Sequence, residues 1–333
     1  MIEPMTERRD LQAMITGFRL SAALSVAADL GISDLLVEGP RTIADLAGET
    51  SADPDTLRRL LRALATVGVY DEAPGDAYAN NALSEGLRSD VPGTLRPLAR
   101  TLSSPAMWSA WGHLGHSVRT GENAFEAMQG VDVWTHRQAH PEENEIFNDN
   151  MTALTSSVAA AVAEAYDFSG FAHVVDIGGG QGILLDAVLS RYPQVSGTVF
   201  DQDHVVATAP ITAALAPRWS AASGSFFDAV PEADAYLMKS ILHDWPDDQC
   251  VEILRTCRRS LRPGGVVLVV ETLLGRPGFE VHAAFSDLNM LVLPGGRERS
   301  EEEYAVLFEA AGLRLTRVVD SVTRASVIEA LAA

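Results

Sequence analysis

Cysteine is almost absent: the 333-residue chain has two, Cys250 and Cys257. They lie seven apart in a segment that predicts a helix, which separates them by about 10 Å along its axis, beyond disulfide reach. Both read as buried helix residues, and so few cysteines suit a reducing compartment. Long apolar runs are missing too. Residues 266–270 form one of the longest, far short of the ~20 that a membrane helix needs. No basic leader precedes an apolar run at the start, so retention in the cytoplasm is expected. Positive charge is scarce: 25 Lys and Arg stand against 45 Asp and Glu, a formal charge of -20. Nucleic acid requires clustered cations, and an anionic membrane repels an acidic chain. Neither is an expected partner.

What is present suits a folded protein of two domains. Hydrophobic residues make up 47%, enough for a sizeable core. Residues 11–36 read as mostly helical through Met14, Phe18, Ala22, Val26 and Leu30, with Gly31 as a stop. Thr42 is placed to cap a helix through Ala47. Asp53-Pro54 reads as an N-cap with proline at the first helical position, opening a helix through Leu57, Leu61 and Leu64. Val69–Tyr70 and Tyr78–Ala79 flank a turn at Pro74-Gly75-Asp76, predicting a hairpin. Helix, helix, hairpin is a winged-helix order. Its second helix carries Arg58, Arg59 and Arg62, but Asp45, Glu49, Asp53, Asp55, Asp71, Glu72 and Asp76 surround them. A packing module is expected rather than a DNA reader.

Residues 92–166 read as helical and concentrate large side chains, among them Met107, Trp108, Trp111, Phe125, Trp134, Phe147 and Met151. Such a cluster lines a pocket for a flat substrate, or fills a core or subunit interface. The periodicity then changes near 167–170. Strands at 173–177, 195–200, 235–238 and 265–270 alternate with helices at 181–190, 203–215 (interrupted by Pro210) and 247–260. This alternation predicts right-handed crossovers and a doubly wound, mostly parallel α/β sheet. The strands at 313–319 and 325–329 are joined too tightly for a crossover and should be antiparallel. The expected division is 1–95, 96–168 and 169–333.

The first of these strands runs into Asp176-Ile177-Gly178-Gly179-Gly180-Gln181-Gly182. Ligands of open α/β sheets bind at such strand ends, where glycine lets backbone approach closely. The spacing fails G-x-G-x-x-G, because Ile183 or Leu185 stands where the last glycine is required. The loop therefore suits a ligand without a pyrophosphate. Asp201 closes the second strand, where a carboxylate can accept from two ribose hydroxyls, and Asp176 can act on the ligand's other end.

The glycine loop, with Phe200-Asp201-Gln202-Asp203-His204-Val205, Leu237-Met238-Lys239, Leu242-His243-Asp244-Trp245, Glu271 and Pro294-Gly295-Gly296-Arg297-Glu298-Arg299, resembles the small-molecule S-adenosylmethionine-dependent O-methyltransferases. The resemblance spans nearly the whole chain and is strongest to bacterial secondary-metabolite enzymes related to plant caffeate and flavonoid O-methyltransferases. It implies the Rossmann-like class I methyltransferase sheet with an antiparallel C-terminal strand pair. It also implies a mainly helical, winged-helix-like dimerisation domain, a homodimer, and S-adenosylmethionine as cofactor. Gly178, Gly180, Gly182, Asp201 and Gln202 would then surround the cofactor, with Lys239 near its methionine part. The family's Gly-Asp-aromatic-Phe appears as Gly224-Ser225-Phe226-Phe227. Ser225 can still accept a hydrogen bond from adenine, without the charge.

Methyl transfer to a phenol requires loss of a proton whose pKa is near 10, and a histidine is a suitable base. His243 sits past a strand's carboxyl end. Glu271 ends the neighbouring strand and can orient the imidazole. By the resemblance Glu298 is a second such carboxylate, while Phe285, Asn289 and Met290 line the acceptor pocket of an aromatic molecule, with Asn289 able to bond an acceptor oxygen. Asp244, next to the base, is expected to cap the following turn and to border that pocket. No metal-ligand spacing is evident. Three rival readings stand beside this one: a relative that has lost methyl transfer, an N- or C-methyltransferase, and a winged-helix regulator.

Overall fold

The computed structural model describes residues 3–102, 104–207, 209 and 214–333. By compactness the chain divides into Met1–Trp108 with Pro141–Ala153, and Ser109–His140 with Leu154–Ala333. The helix Pro141–Ala165 therefore serves both units.

In the first unit, helices Glu3–Thr16 and Phe18–Asp29 break at Gly17, earlier than the single stop expected at Gly31. Gly31 does end the second, with φ +66, a conformation open to glycine at little cost. Thr42 Oγ1 accepts the Asp45 N–H at 3.2 Å, and Asp53 Oδ1 accepts that of Thr56 at 2.9 Å. These caps start helices Ile43–Thr50 and Pro54–Thr66. Strands β1 (Arg41–Thr42), β2 (Asp71–Ala73) and β3 (Ala77–Ala79) form an antiparallel sheet in the order β1-β3-β2. The hairpin begins nearer its turn than the sequence suggests, because Val69 and Tyr70 are buried in the core instead. Arg58 is held by Asp76 at 2.8 Å and Asp55 at 3.4 Å, so its charge is already answered within the module.

Leu11, Met14, Ile15 and Phe18 stay exposed, Met14 by 76%. Among the described residues no single helix is long and apolar enough to cross a membrane; only the bent pair Arg8–Thr16 and Phe18–Asp29 reaches that length and apolarity together.

In the second unit, β4 (His173–Ile177), β5 (Ser196–Asp201), β6 (Trp219–Ser223), β7 (Ala233–Lys239) and β8 (Leu261–Thr272) are parallel, and β9 (Leu313–Asp320) and β10 (Ala325–Ala332) are antiparallel. The order is β6-β5-β4-β7-β8-β10-β9, a doubly wound sheet with the antiparallel C-terminal pair expected from sequence. Its central strands are apolar on both faces, as helix-covered sheets require. Along β8, Val267 and Val269 face one core layer with Cys250, Cys257 and Phe308, while Val266, Leu268 and Val270 face the other with Leu185 and Val188. Both cysteines are free and buried in helix Asp247–Ser260. Helix is found at Asp203–Val206; of the 203–215 helix expected from sequence, residues 208 and 210–213, with Pro210, lie outside the described residues.

Candidate active site

Strand β4 delivers the glycine loop to the carboxyl edge of the sheet. Gly178 donates its N–H to Phe200 O at 2.7 Å, tying the loop to β5. Gly178 and Gly182 have φ of +64 and +78. A Cβ at Gly178 would run into the Ile241 side chain, and one at Gly182 would stand 3.0 Å from Val199. At Gly180 a Cβ would meet nothing within 4 Å, so this is the open side of the loop. Asp201 Oδ2 accepts the Gly180 N–H at 2.9 Å and Oδ1 that of Gln202 at 2.7 Å. A carboxylate has about four acceptor sites, so capacity remains for a diol. Asp176 is buried, and its Oδ2 has no hydrogen-bond partner among the described residues. Burial, reinforced by the Asp201 charge, pushes its carboxyl up to about 7. An orphaned buried oxygen, open glycine backbone and free lone pairs on Asp201 together fit a ligand rich in donors, as S-adenosylmethionine is.

Around this loop, Lys239 Nζ donates to Ser240 Oγ at 3.0 Å, and burial pushes the ammonium down against the pull of Glu271. Gln202 accepts from Gln138 at 3.1 Å. Ser225 is exposed, and its Oγ accepts the Phe227 N–H at 3.2 Å. Phe226 and Phe227 meet the Trp245 ring edge-on, at 5.9 and 4.9 Å.

Past β7 the chain turns sharply. Ser240 takes φ +54, unusual for a side chain other than glycine. The turn aims the N–H groups of Ile241 and His243 at Glu271 Oε1, at 3.0 and 3.4 Å. His243 follows in a single 3-10 turn, Leu242–Asp244. Its Nδ1 lies 3.0 Å from Glu298 Oε1 and 3.5 Å from Glu271 Oε2. Ser286 donates to Glu298 Oε1 at 2.6 Å, and Asp287 Oδ1 accepts the Glu298 N–H at 2.9 Å. With Nδ1 committed to carboxylates, the proton of the neutral ring belongs on Nδ1 and the lone pair on Nε2. Among the described residues Nε2 has no hydrogen bond; Asp244 Oδ1 lies 3.6 Å from it. Burial pushes His243 down, but Glu271, Asp244 and Glu298 outweigh it and lift the imidazole to about 10. Glu271, wholly buried, is pushed up by desolvation. Desolvation acts the same way on Glu298, yet the imidazole and its hydrogen bonds hold this carboxyl below its ordinary value. Glu298 is therefore the ionised partner.

His243, Glu271 and Glu298 bring ligand atoms within 4.8 Å of one another, close enough for one metal ion. The sequence hides this, since Glu271 and Glu298 lie 28 and 55 residues from His243. The hydrogen bonds account for the group as a proton-holding network.

The other candidates scatter more widely. Asp244 does not cap the next helix, whose N-cap is Pro246 without a side-chain bond; its carboxylate turns toward His243. Trp134 stacks near-parallel on Trp245 at 6.2 Å. Asn289 Oδ1 accepts from Trp111 Nε1 at 3.3 Å, Met290 is buried, and Phe285 is 63% exposed. Phe147 and Met151 are half-buried on Pro141–Ala165, in the stretch belonging to the first unit. Met107 and Phe125 are plain core.

Sequence reasoning gave no role to Arg299 or Gly296, although both stand in the quoted loop. Arg299 is buried, donating to Leu242 O at 3.0 Å, Trp245 O at 2.8 Å and Asp247 Oδ1 at 2.7 Å. It thus clasps both ends of the turn that carries His243. Ser286 had no signal at all.

Comparison with known proteins gives the family. The family model of the O-methyltransferase domain matches residues 111–314, and that of the O-methyltransferase dimerisation domain matches 12–90. The mitomycin biosynthesis 6-O-methyltransferase of Streptomyces lavendulae is 44% identical over 91% of this chain and 88% of its own. The phenazine O-methyltransferase of Lysobacter antibioticus is 39% identical, covering 96% and 95%. The solved structure of a mitomycin 7-O-methyltransferase superposes with a TM-score of 0.93 at 40% identity, over 99% of both chains. The chain belongs to the S-adenosylmethionine-dependent O-methyltransferase family, as an enzyme with an N-terminal dimerisation domain.

Proposed function

We propose that the enzyme methylates a phenolic hydroxyl of an aromatic secondary metabolite, with His243 as general base. The observation that carries this is the pairing of His243 Nδ1 with Glu298 at 3.0 Å, which leaves Nε2 without a hydrogen bond. S-adenosylmethionine supplies the methyl as an electrophile on a sulfonium. Asp201 would hold its ribose diol, the backbone of Gly178–Gly182 its approach, Phe226 its adenine face, and Asp176 and Lys239 its methionyl end. His243 Nε2 would take the acceptor's O–H proton as the methyl passes to the acceptor oxygen and its bond to the sulfonium sulfur breaks. Glu298 and Glu271 steady the resulting imidazolium. A phenol titrates near 10, so an imidazole raised into that range takes the proton with little uphill cost. Trp134, Asn289, Met290, Asp244 and Phe285 would border the acceptor. Relatives named for a phenazine O-methyltransferase and for O-methylation in mitomycin biosynthesis support an aromatic oxygen as the target.

The apolar row Leu11, Met14, Ile15 and Phe18 in and beside the matched dimerisation region supports a homodimer. The test of the reaction is a single-turnover transfer of labelled methyl to phenolic acceptors. His243→Gln, which keeps a hydrogen-bonding side chain but takes no proton, should lose transfer while still binding cofactor. Equal rates in both proteins would refute the base.

A further inference from the structure

Ser286 stands half-buried on the helix Glu280–Val292. A helical serine commonly turns its hydroxyl back to the carbonyl one turn earlier. Here, among the described residues, the hydroxyl makes one hydrogen bond, to Glu298 Oε1 at 2.6 Å. Desolvation pushes the Glu298 carboxyl up, but the imidazole's charge, its hydrogen bond and then the Ser286 hydroxyl hold it below its ordinary value. The carboxylate is therefore ionised and can only accept, so Ser286 is the donor. A bond this short to an anion is of the strong, charge-assisted kind.

Oε1 thus carries two donors, Ser286 Oγ and His243 Nδ1, while Oε2 is buried without a partner among the described residues. The hydroxyl is not what places Glu298. Asp287 Oδ1 holds its backbone N–H at 2.9 Å, and the His243 carbonyl holds that of the preceding Arg297 at 2.9 Å. What the hydroxyl changes is the oxygen itself. Donors that share one acceptor compete, because each draws on the same charge. We infer that Ser286 is a positioning residue for the base: by sharing Glu298 Oε1 with His243 Nδ1, it limits how tightly the carboxylate holds the imidazolium, so that the ring returns to its proton-accepting form. This rests on the reading of His243 as the base. Three carboxylates, Glu271, Asp244 and Glu298, crowd that one ring, and a base that keeps its proton turns over once. The other groups facing the pair are Lys239 of β7, His282 and Asp287 of Glu280–Val292, Arg299 and Tyr304 behind the turn, and Arg324 between β9 and β10. Ser286→Ala alters none of these charges.

The test titrates His243 directly by NMR of protein with isotope-labelled histidine, its signal assigned by its loss in His243→Gln. Ser286→Ala should raise the imidazole's midpoint by about 0.5–1 pH unit, part of the worth of a charge-assisted bond. Ser286→Thr keeps the hydroxyl and should bring the midpoint back; Ser286→Cys, a weaker donor, should fall between. The single-turnover methyl-transfer rate of Ser286→Ala should drop about threefold to tenfold at pH 7, and the deficit should shrink as pH rises through the midpoint. This is opposite in sign to removing the Glu298 charge, which lowers the midpoint. A midpoint unmoved or lowered in Ser286→Ala overturns the inference, as does one that neither donor-bearing variant brings back. A rate deficit equal at every pH, with the midpoint in place, marks a merely structural serine and overturns it too. A raised midpoint that the rate does not follow keeps the hydroxyl's hold on the ring and overturns His243 as the base.

Discussion

Gly296 lies against the backbone of His243 so closely that any Cβ would collide with the His243 carbonyl oxygen and come within 2.6 Å of the Trp245 nitrogen. The neighbouring Arg297 N–H donates to that same carbonyl at 2.9 Å. Two loops far apart in sequence are thus pressed together, and this pressing sets the distance from His243 to Glu298. Gly296→Ala cannot be absorbed by a rotamer change, because backbone is what it meets. It should cost about 1–3 kcal/mol or more, seen as a lower midpoint in denaturant unfolding. The remaining folded enzyme should show reduced kcat with cofactor affinity nearly kept.

His243→Gln should lower the single-turnover rate by about 10²–10⁴-fold, the usual worth of a general base. Calorimetric affinity for S-adenosylmethionine should change little, since the ring's partners are Glu298, Glu271 and Asp244 rather than the glycine loop. Glu271→Gln should cost less than His243→Gln, because it alters orientation and charge and leaves the base in place.

The carboxylates raise His243 above its ordinary 6.5, and only the unprotonated ring is a base. The wild-type rate should therefore climb with pH well beyond 6.5 before levelling. Glu298→Gln removes one raising charge, so the climb should move to lower pH while the plateau falls. A climb that stays in place in Glu298→Gln would refute the electrostatic account. Stability should run the opposite way. His243 and Glu271 are both raised in the folded protein, so the folded state binds more protons than the unfolded chain. Their stabilising contribution is complete below the unfolded values and is lost as pH rises through the folded ones. Glu271→Gln should flatten that alkaline decline in urea midpoints.

Asp201→Ala removes the acceptor for the Gly180 N–H as well as the proposed ribose anchor. Hydrogen bonds to a charged group are worth roughly 1.5–3 kcal/mol, so cofactor affinity should fall by about tenfold to a hundredfold. Unchanged affinity would remove Asp201 from the cofactor site.

Met14→Asp or Ile15→Asp places charge on the exposed apolar row of the first helix. If that row is the subunit contact, sedimentation equilibrium should show a dimer in the wild type and a monomer in the variant. A wild-type monomer at micromolar concentration would overturn the homodimer.

Local chemistry was readable from sequence wherever a short stretch determined it. The Thr42 and Asp53 caps, the glycine loop and the β9–β10 pair all fall in this class. Strand β6 was not given bounds, because Ser220, Ala221 and Ala222 at a sheet edge carry no apolar alternation. The break at Gly17 was passed over because apolar spacing continues across it. Within the site, His243 and Glu271 were legible as strand-end residues. Their partners were less so: Ser286 reaches Glu298 from a neighbouring helix, and Arg299 acts through the carbonyls of Leu242 and Trp245. Side chains whose role is to hold backbone leave little trace in a pattern of residue types.

The insertion of β10 between β8 and β9 has a consequence for biosynthesis. Glu271 lies on β8, opposite Ser326 of a strand made much later. Until β10 emerges from the ribosome, β8 is an open edge carrying the apolar run Val266–Val270. Such an edge is a template for pairing with other chains. The nascent chain thus passes through an interval in which Glu271 and the apolar edge of β8 are bare together, and the pairing of β10 covers both at once.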